Sequence, residues 1–307
     1  MNKQKRVVLI ALPAAIVTGA AWIALAQREH ALDAQKIADA AGTKATTKEG
    51  VVRIEWPRND VAVKVDGMPL KPFAGLGSWG ALTAAPHGAM LMGDTVVFED
   101  EVNPAMDAAL ANGLEVTGLH NHFFYDEPKV YFMHIGGMGE PEKLAAAVKE
   151  VWDAIKKVRK ENATPAKRFG GDVPKAGKID AASIETIVGQ KSDAKDGVVK
   201  VTVARKGMMH QVNVGGPMGL TTWAAFSGSD EYAAVDGDFI MTAEEVQPVL
   251  RALRKSGVHI VALHNHMIGE QPSFFFLHFW GKGSTQQLAQ AVKGALDAQK
   301  AVKKAEH

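Results

Sequence analysis

The sequence contains no cysteine. That excludes a disulfide framework, a thiolate metal site, a catalytic thiol and a lipid-modified Cys. It also lacks an excess of charge of either sign, with 35 Lys+Arg against 34 Asp+Glu. A nucleic-acid partner, which asks for a basic surface, is therefore not expected. No P-loop and no Gly-rich dinucleotide fingerprint occurs, so no nucleotide cofactor is expected either. Apolar residues make up 47% and charged residues 22% of the 307, the balance of a globular chain with room for two ordinary domains.

One long apolar run is present, residues 7–26. Lys3, Lys5 and Arg6 precede it, and Ala24-Leu25-Ala26 closes it with a small-x-small pattern. This predicts a secretory signal peptide over residues 1–26. The alternative is an uncleaved inner-membrane anchor, since about 20 apolar residues can span a bilayer. Either way the rest of the chain is expected outside the cytoplasm, periplasmic or secreted. Any contact with the membrane would run through this segment. Removing it leaves 32 basic against 34 acidic residues.

The body is one unit written twice. Residues 32–58 align with 179–205, with ten of 27 positions identical, including Asp33/Asp180, Gly42/Gly189 and the Gly-Val-Val at 50–52 and 197–199. Residues 93–149 align without a gap with 237–293, with 21 of 57 identical. Two colinear blocks in one order mean a tandem duplication. The boundaries read as 27–165 for the first copy and 166–307 for the linker and second copy. The linker carries Pro165, Gly170-Gly171, Pro174 and Gly177.

Each copy predicts a short helix (32–41; 181–188) followed by a ββ(β)αββα order. A helix is expected from Asn103 in copy one and Ala243 in copy two, the latter with a Thr242/Glu245 capping box. Gly113 and Gly257 stop these helices. A hairpin pairs 114–123 with 130–135, and 258–267 with 274–280. Leu144, Val148, Trp152 and Ile155 recur at helical spacing on a last helix. The fold class is α+β: two homologous repeats, each a mostly antiparallel sheet with helices, packed as a pseudo-dimer.

Six histidines fall where the copies agree: His120/His264, His122/His266 and His134/His278. Alternation along a strand turns His120 and His122 to one face. A hairpin centred near Glu127 would set His134 opposite His120. Three imidazoles could then hold a divalent metal, with zinc expected first. Asp126, Glu127 and Glu270 in the hairpin loops are candidate carboxylate ligands. Glu101 and Glu245, a matched pair, are candidates for a ligand, a supporting partner or a general base. The competing reading keeps the histidines structural, hydrogen-bonded within the sheet, in a non-catalytic envelope binding or scaffold protein. A third is a periplasmic zinc-dependent hydrolase. The partner under these readings is a small ligand or an envelope component. Lysostaphin-like zinc peptidases share His-x-His but need an earlier His-x3-Asp, and none precedes His120-x-His122. Trp79 and Trp223 are expected as core anchors, and Gly93-Asp94 and Gly237-Asp238 as turn or packing positions.

Several strings carry a family resemblance. They are Gly93-Asp94, Glu101-Val102-Asn103-Pro104, Glu-Val-Thr-Gly-Leu-His-Asn-His at 115–122 and His134-Ile135-Gly136-Gly137. Copy two adds Gly237-Asp238-Phe239, Thr242-Ala243-Glu244-Glu245-Val246 and Ala262-Leu263-His264-Asn265-His266. Over nearly the whole mature chain the sequence resembles the LppY/LpqO family of bacterial exported proteins. The resemblance implies an exported protein with a domain of unknown function in two copies. Mycobacterial members look like lipoproteins. Without a Cys, lipid anchoring does not carry over.

Overall fold

The computed structural model describes residues 31–305. The proposed signal segment lies outside the described residues. Among the described residues no helix is long and apolar enough to cross a membrane.

Copy one runs α1 (Ala34–Ala41), β1 (Ala45–Lys48), β2 (Val51–Pro57), β3 (Val63–Val65), β4 (Met68–Leu70), β5 (Gly77–Ala85), β6 (Gly88–Phe98), α2 (Val102–Ala111), β7 (Glu115–Asn121), β8 (Asp126–Glu127), β9 (Val130–Gly139) and α3 (Pro141–Glu161). Copy two repeats the order: α4 (Ala181–Val188), β10 (Ser192–Lys195), β11 (Val198–Ala204), β12 (Gly207–Met209), β13 (Val212–Val214), β14 (Thr221–Gly228), β15 (Ala233–Met241), α5 (Ala243–Lys255), β16 (His259–His264), β17 (Glu270–Gln271), β18 (Phe275–Gly283) and α6 (Thr285–Ala305). Each copy thus has nine strands, more than the expected order allowed. The additional ones are short or Gly-rich, where the alternation signal is weak.

Helix ends follow the local chemistry. Asp33 caps α1 by accepting from the Gln35 and Lys36 amides, and Asp180 does the same for α4 through Ala182. The Thr242/Glu245 capping box is formed. Gly113 and Gly257 follow α2 and α5 with φ of 78° and 75°, the left-handed backbone that glycine adopts without a Cβ penalty.

Twelve strands form one continuous antiparallel sheet in the order β1-β2-β5-β6-β9-β7-β16-β18-β15-β14-β11-β10. Read outward from its centre, the sheet is the same series of equivalent strands in both directions. The copies therefore pack as a pseudo-dimer about a pseudo-two-fold axis, where Leu119 of β7 pairs with Leu263 of β16. The six described α-helices line one face and share a core with Leu119, Met133, Ile135, Leu263, Leu277 and Phe279. Leu144, Val148, Trp152 and Ile155 are buried in it, as their spacing predicts.

The copies also reach across the axis on the helix side. Gln247 of α5 accepts from the Val116 amide and donates to its carbonyl, standing in for a missing strand neighbour. Its counterpart Asn103 of α2 accepts from the Ile260 amide. Arg254 donates to both carboxylate oxygens of Asp107, each at 2.7 Å.

On the opposite face each copy carries a small three-stranded sheet, β4-β3-β8 and β13-β12-β17. The first covers Val96, Phe98, Val130 and Phe132; the second covers Ile240, Phe274 and Phe276. Between these two covers the centre of the large sheet stays open, and this is where the histidines stand.

Candidate metal centre

The strand period decides which side chains reach the open face. Along β9, Met133 and Ile135 turn to the helices, so Phe132 and His134 turn away. His120 alternates with the buried Leu119 in the same manner. Copy two repeats this with His264, Phe276 and His278. The register differs from the expected one. His134 pairs with Gly118 and His120 with Phe132, so the two histidines are diagonal rather than opposite. The hairpin centre lies at Asp126, one residue earlier than expected, and a bulge interrupts the pairing between Val116 and Gly118. The connection is no tight turn, because β8 leaves to pair with β3.

The rings still converge. In copy two, donor atoms of His264, His266 and His278 all lie within 4.8 Å of one another. The Nε2 atoms of His264 and His266 are 3.0 Å apart. In copy one the Nε2 atoms of His120 and His134 are 2.9 Å apart. The third ring, His122, stacks on Phe132 with centroids 3.2 Å apart, and lies 5.2 Å from the His120 ring. His266 stacks likewise on Phe276. Both clusters are open to solvent, with His122 and His266 exposed and the other four half-buried.

Several observations bear on whether these rings suit a metal. Two nitrogens around one tetrahedral zinc lie about 3.3 Å apart, close to the separations found. His278 Nδ1 faces the Gly237 carbonyl at 3.3 Å and His120 Nδ1 faces the Asn121 carbonyl at 3.1 Å. A carbonyl accepts only, so each Nδ1 carries the proton and each Nε2 keeps its lone pair. Burial and the neighbouring His278 and His266 lower the pKa of His264 to about 4. Burial pushes His122 and His266 down as well. Those three rings are accordingly held neutral near pH 7, the state that ligates metal.

Two carboxylates expected at turn or packing positions belong to this face. Asp94 lies mid-strand in β6, paired with His134; Asp238 lies mid-strand in β15, paired with His278. Asp238 is 3% exposed, accepts from the Leu277 amide at 3.1 Å and brings its Oδ2 to 3.5 Å from His266 Nε2. Asp94 is 8% exposed and its Oδ1 is buried without a hydrogen-bond partner. Burial raises both pKa values, and the facing histidines oppose that rise. Trp79 and Trp223 pair with these aspartates on the same face. They are half-buried rather than core anchors, and Arg53 and Lys200 lie over their rings at 4.3 and 4.2 Å.

The expected carboxylates are placed elsewhere. Glu101 is fully buried, gripped by both Nη atoms of Arg58 at 2.8 and 2.9 Å and by the Phe98 amide. Glu245 is held by Arg205, Gln299 and the Thr242 amide. Asp126 accepts from the Val130 amide and Lys129, and Glu270 from the Phe274 amide. Glu127 is exposed in β8, paired with Lys64. Among the described residues none of the five bonds to a histidine. Four of them are held by arginine, lysine, glutamine or backbone amides, while Glu127 stays exposed.

Solved structures to which the chain is similar include a trimeric bacterial microcompartment shell protein, PduB. The identity is 12%, over 85% of this chain and 93% of that chain, with a TM-score of 0.22. Another is the fused permuted hexameric shell protein MSM0275 from the RMM microcompartment, at 15% identity over 72% of this chain and 89% of that one, with a TM-score of 0.19. Superpositions this poor carry no argument about this chain. No curated protein matches it in sequence. Residues 35–154 and 182–298 each match one family, and on that match the chain belongs to the Domain of Unknown Function DUF1259, which it carries in two tandem copies.

Proposed function

We propose that the open face of the sheet binds a divalent metal, zinc first, through His264, His266 and His278, and that His120, His122 and His134 form the equivalent site of copy one. The observation that carries this is the meeting of three imidazoles, their ligand atoms within 4.8 Å of one another, on a solvent-open face. Imidazole nitrogen with one carboxylate oxygen is a donor set that suits zinc and neighbouring first-row metals. Asp238 and Asp94 are the fourth donors. A site so filled has no position left for water on a tetrahedral metal, which favours a binding or structural role over hydrolysis.

Within DUF1259 we assign the chain to the LppY/LpqO proteins on its two Leu-His-Asn-His strings, and propose export on the pattern of residues 1–26.

Zinc titration by calorimetry, on protein purified without a chelating tag, tests the metal reading. Wild type should bind zinc, and the His264→Ala/His278→Ala variant should lose a site while keeping its circular dichroism. A wild type that stays zinc-free overturns it and leaves the Nε2–Nε2 approaches as hydrogen bonds of a structural cluster.

A further inference from the structure

A cavity of about 780 Å3 lies away from the histidine clusters, where the linker crosses the junction of the two copies. Its walls come from the start of α2, from β16 and β18, and from linker residues 166–174. Trp280, Phe169, Tyr131, Val102, Ile260 and Val261 make much of the lining apolar. A volume of this size is in the usual range for a small-molecule site.

The cavity breaks the symmetry of the molecule. The repeats agree at every cluster histidine, yet here they differ in kind. His259, Trp280, Lys282 and Arg254 stand where copy one has Glu115, Gly136, Met138 and Leu110. The linker occurs once, so it can close only one of the two sides.

The polar groups are held in place. The Ile260 amide donates to Asn103 Oδ1, which turns the Asn103 amide nitrogen to His259 Nδ1 at 2.8 Å. Nδ1 therefore accepts, and the ring proton sits on Nε2 as a donor. Phe169 of the linker stacks on this ring at 4.1 Å. Lys282 donates to the linker carbonyls of Gly170 and Asp172, and among the described residues it meets no carboxylate. Three acids share the walls. Asp107 is engaged by Arg254, Asp100 by Arg159, and Glu99 lies near Lys129.

We infer that this cavity binds an amphipathic monoanion of the fatty-acid class, with its apolar body against Trp280, Ile260 and Val261 and its carboxylate at His259 Nε2 and Lys282. The site is independent of the metal reading. A cation held against the linker, a fixed N–H donor and an apolar wall fit an anion that carries its own apolar surface, while a cation of the same shape would meet Lys282, Arg254 and the linker's Lys167 and Arg168.

Titration of the full chain with dodecanoate and with dodecylammonium, followed by tryptophan fluorescence and native mass spectrometry, tests this. One dodecanoate per chain is expected, with dodecylammonium at least about tenfold weaker. Lys282→Met and His259→Phe, the latter keeping the stack on Phe169, should each weaken dodecanoate about tenfold, the loss of one charge-assisted contact. The His264→Ala/His278→Ala variant should bind dodecanoate as wild type does. No dodecanoate binding, equal binding of both amphiphiles, unchanged binding in both folded cavity variants, or loss in the histidine-cluster variant would each overturn the assignment.

Discussion

His134 and Gly118 are paired across β9 and β7, and the missing side chain at 118 is what admits the imidazole. A Cβ built on Gly118 would lie 3.2 Å from His134 Cδ2. With that space the ring leans diagonally to His120, Nε2 to Nε2 at 2.9 Å. Copy two has Ala262 at the matching position, so one methyl is tolerable there. Gly118→Ala should therefore leave zinc affinity at the copy-one site close to wild type. Gly118→Val should lower it by about tenfold, the scale of a supporting-shell defect. Calorimetry in a His264→Ala/His278→Ala background isolates that site, and equal affinities for the two variants would refute this packing argument.

Glu101 is predicted to matter for stability and not for metal. It is fully buried and joined to Arg58, itself 1% exposed. Removing one partner of a buried pair strands the other charge and costs about 3–5 kcal/mol. Glu101→Ala should lower urea stability on that scale, with metal stoichiometry retained in the folded fraction. A variant of wild-type stability that had lost metal would restore Glu101 to the site.

Part of this could be read in the sequence. The duplication, the capping box, the last helices and the meeting of His264, His266 and His278 all follow from local pattern and repeat alignment. The two aspartates that face the histidines did not. Gly93-Asp94 has the composition of a turn, yet it lies in the middle of β6. Gly93 is there because a Cβ would come within 2.9 Å of the Trp79 carbonyl, and at Gly237 one would meet the Trp223 carbonyl and the Phe279 ring, both at 2.3 Å. The apolar run from Ala89 to Phe98 around Asp94, repeated in copy two around Asp238, was the available signal. The single sheet across both copies was equally hidden, because the pairing of β7 with β16 depends on which edge each repeat leaves open.

Asp238 should tune the second metal site. Its Oδ2 is the carboxylate oxygen nearest His266 Nε2, at 3.5 Å. Asp238→Asn keeps the shape and an acceptor for the Leu277 amide but removes the charge. Zinc affinity should fall by about 10–100-fold with little change in thermal stability. Unchanged affinity in a calorimetric titration would remove Asp238 from the donor set.

His259 predicts an acid-sensitive term in stability. Burial, followed by the charges of Arg254 and Lys282 and against that of Asp107, lowers its pKa below the ordinary 6.5. Between the folded and unfolded values the unfolded chain binds more protons, so stability rises with pH in that window and falls as acid is added below about 6.5. His259→Gln cannot take up the proton and should flatten that part of the profile. Urea denaturation of wild type and variant between pH 7 and pH 5 measures the difference; parallel profiles would contradict it.

X-ray absorption at the zinc edge of the zinc-loaded protein tests the central claim most directly. The account predicts three imidazole scatterers with nitrogen at about 2.0–2.1 Å and one carboxylate oxygen, with the imidazole signal reduced in His264→Ala/His266→Ala. A spectrum of oxygen ligands alone, without imidazole scattering, would contradict it.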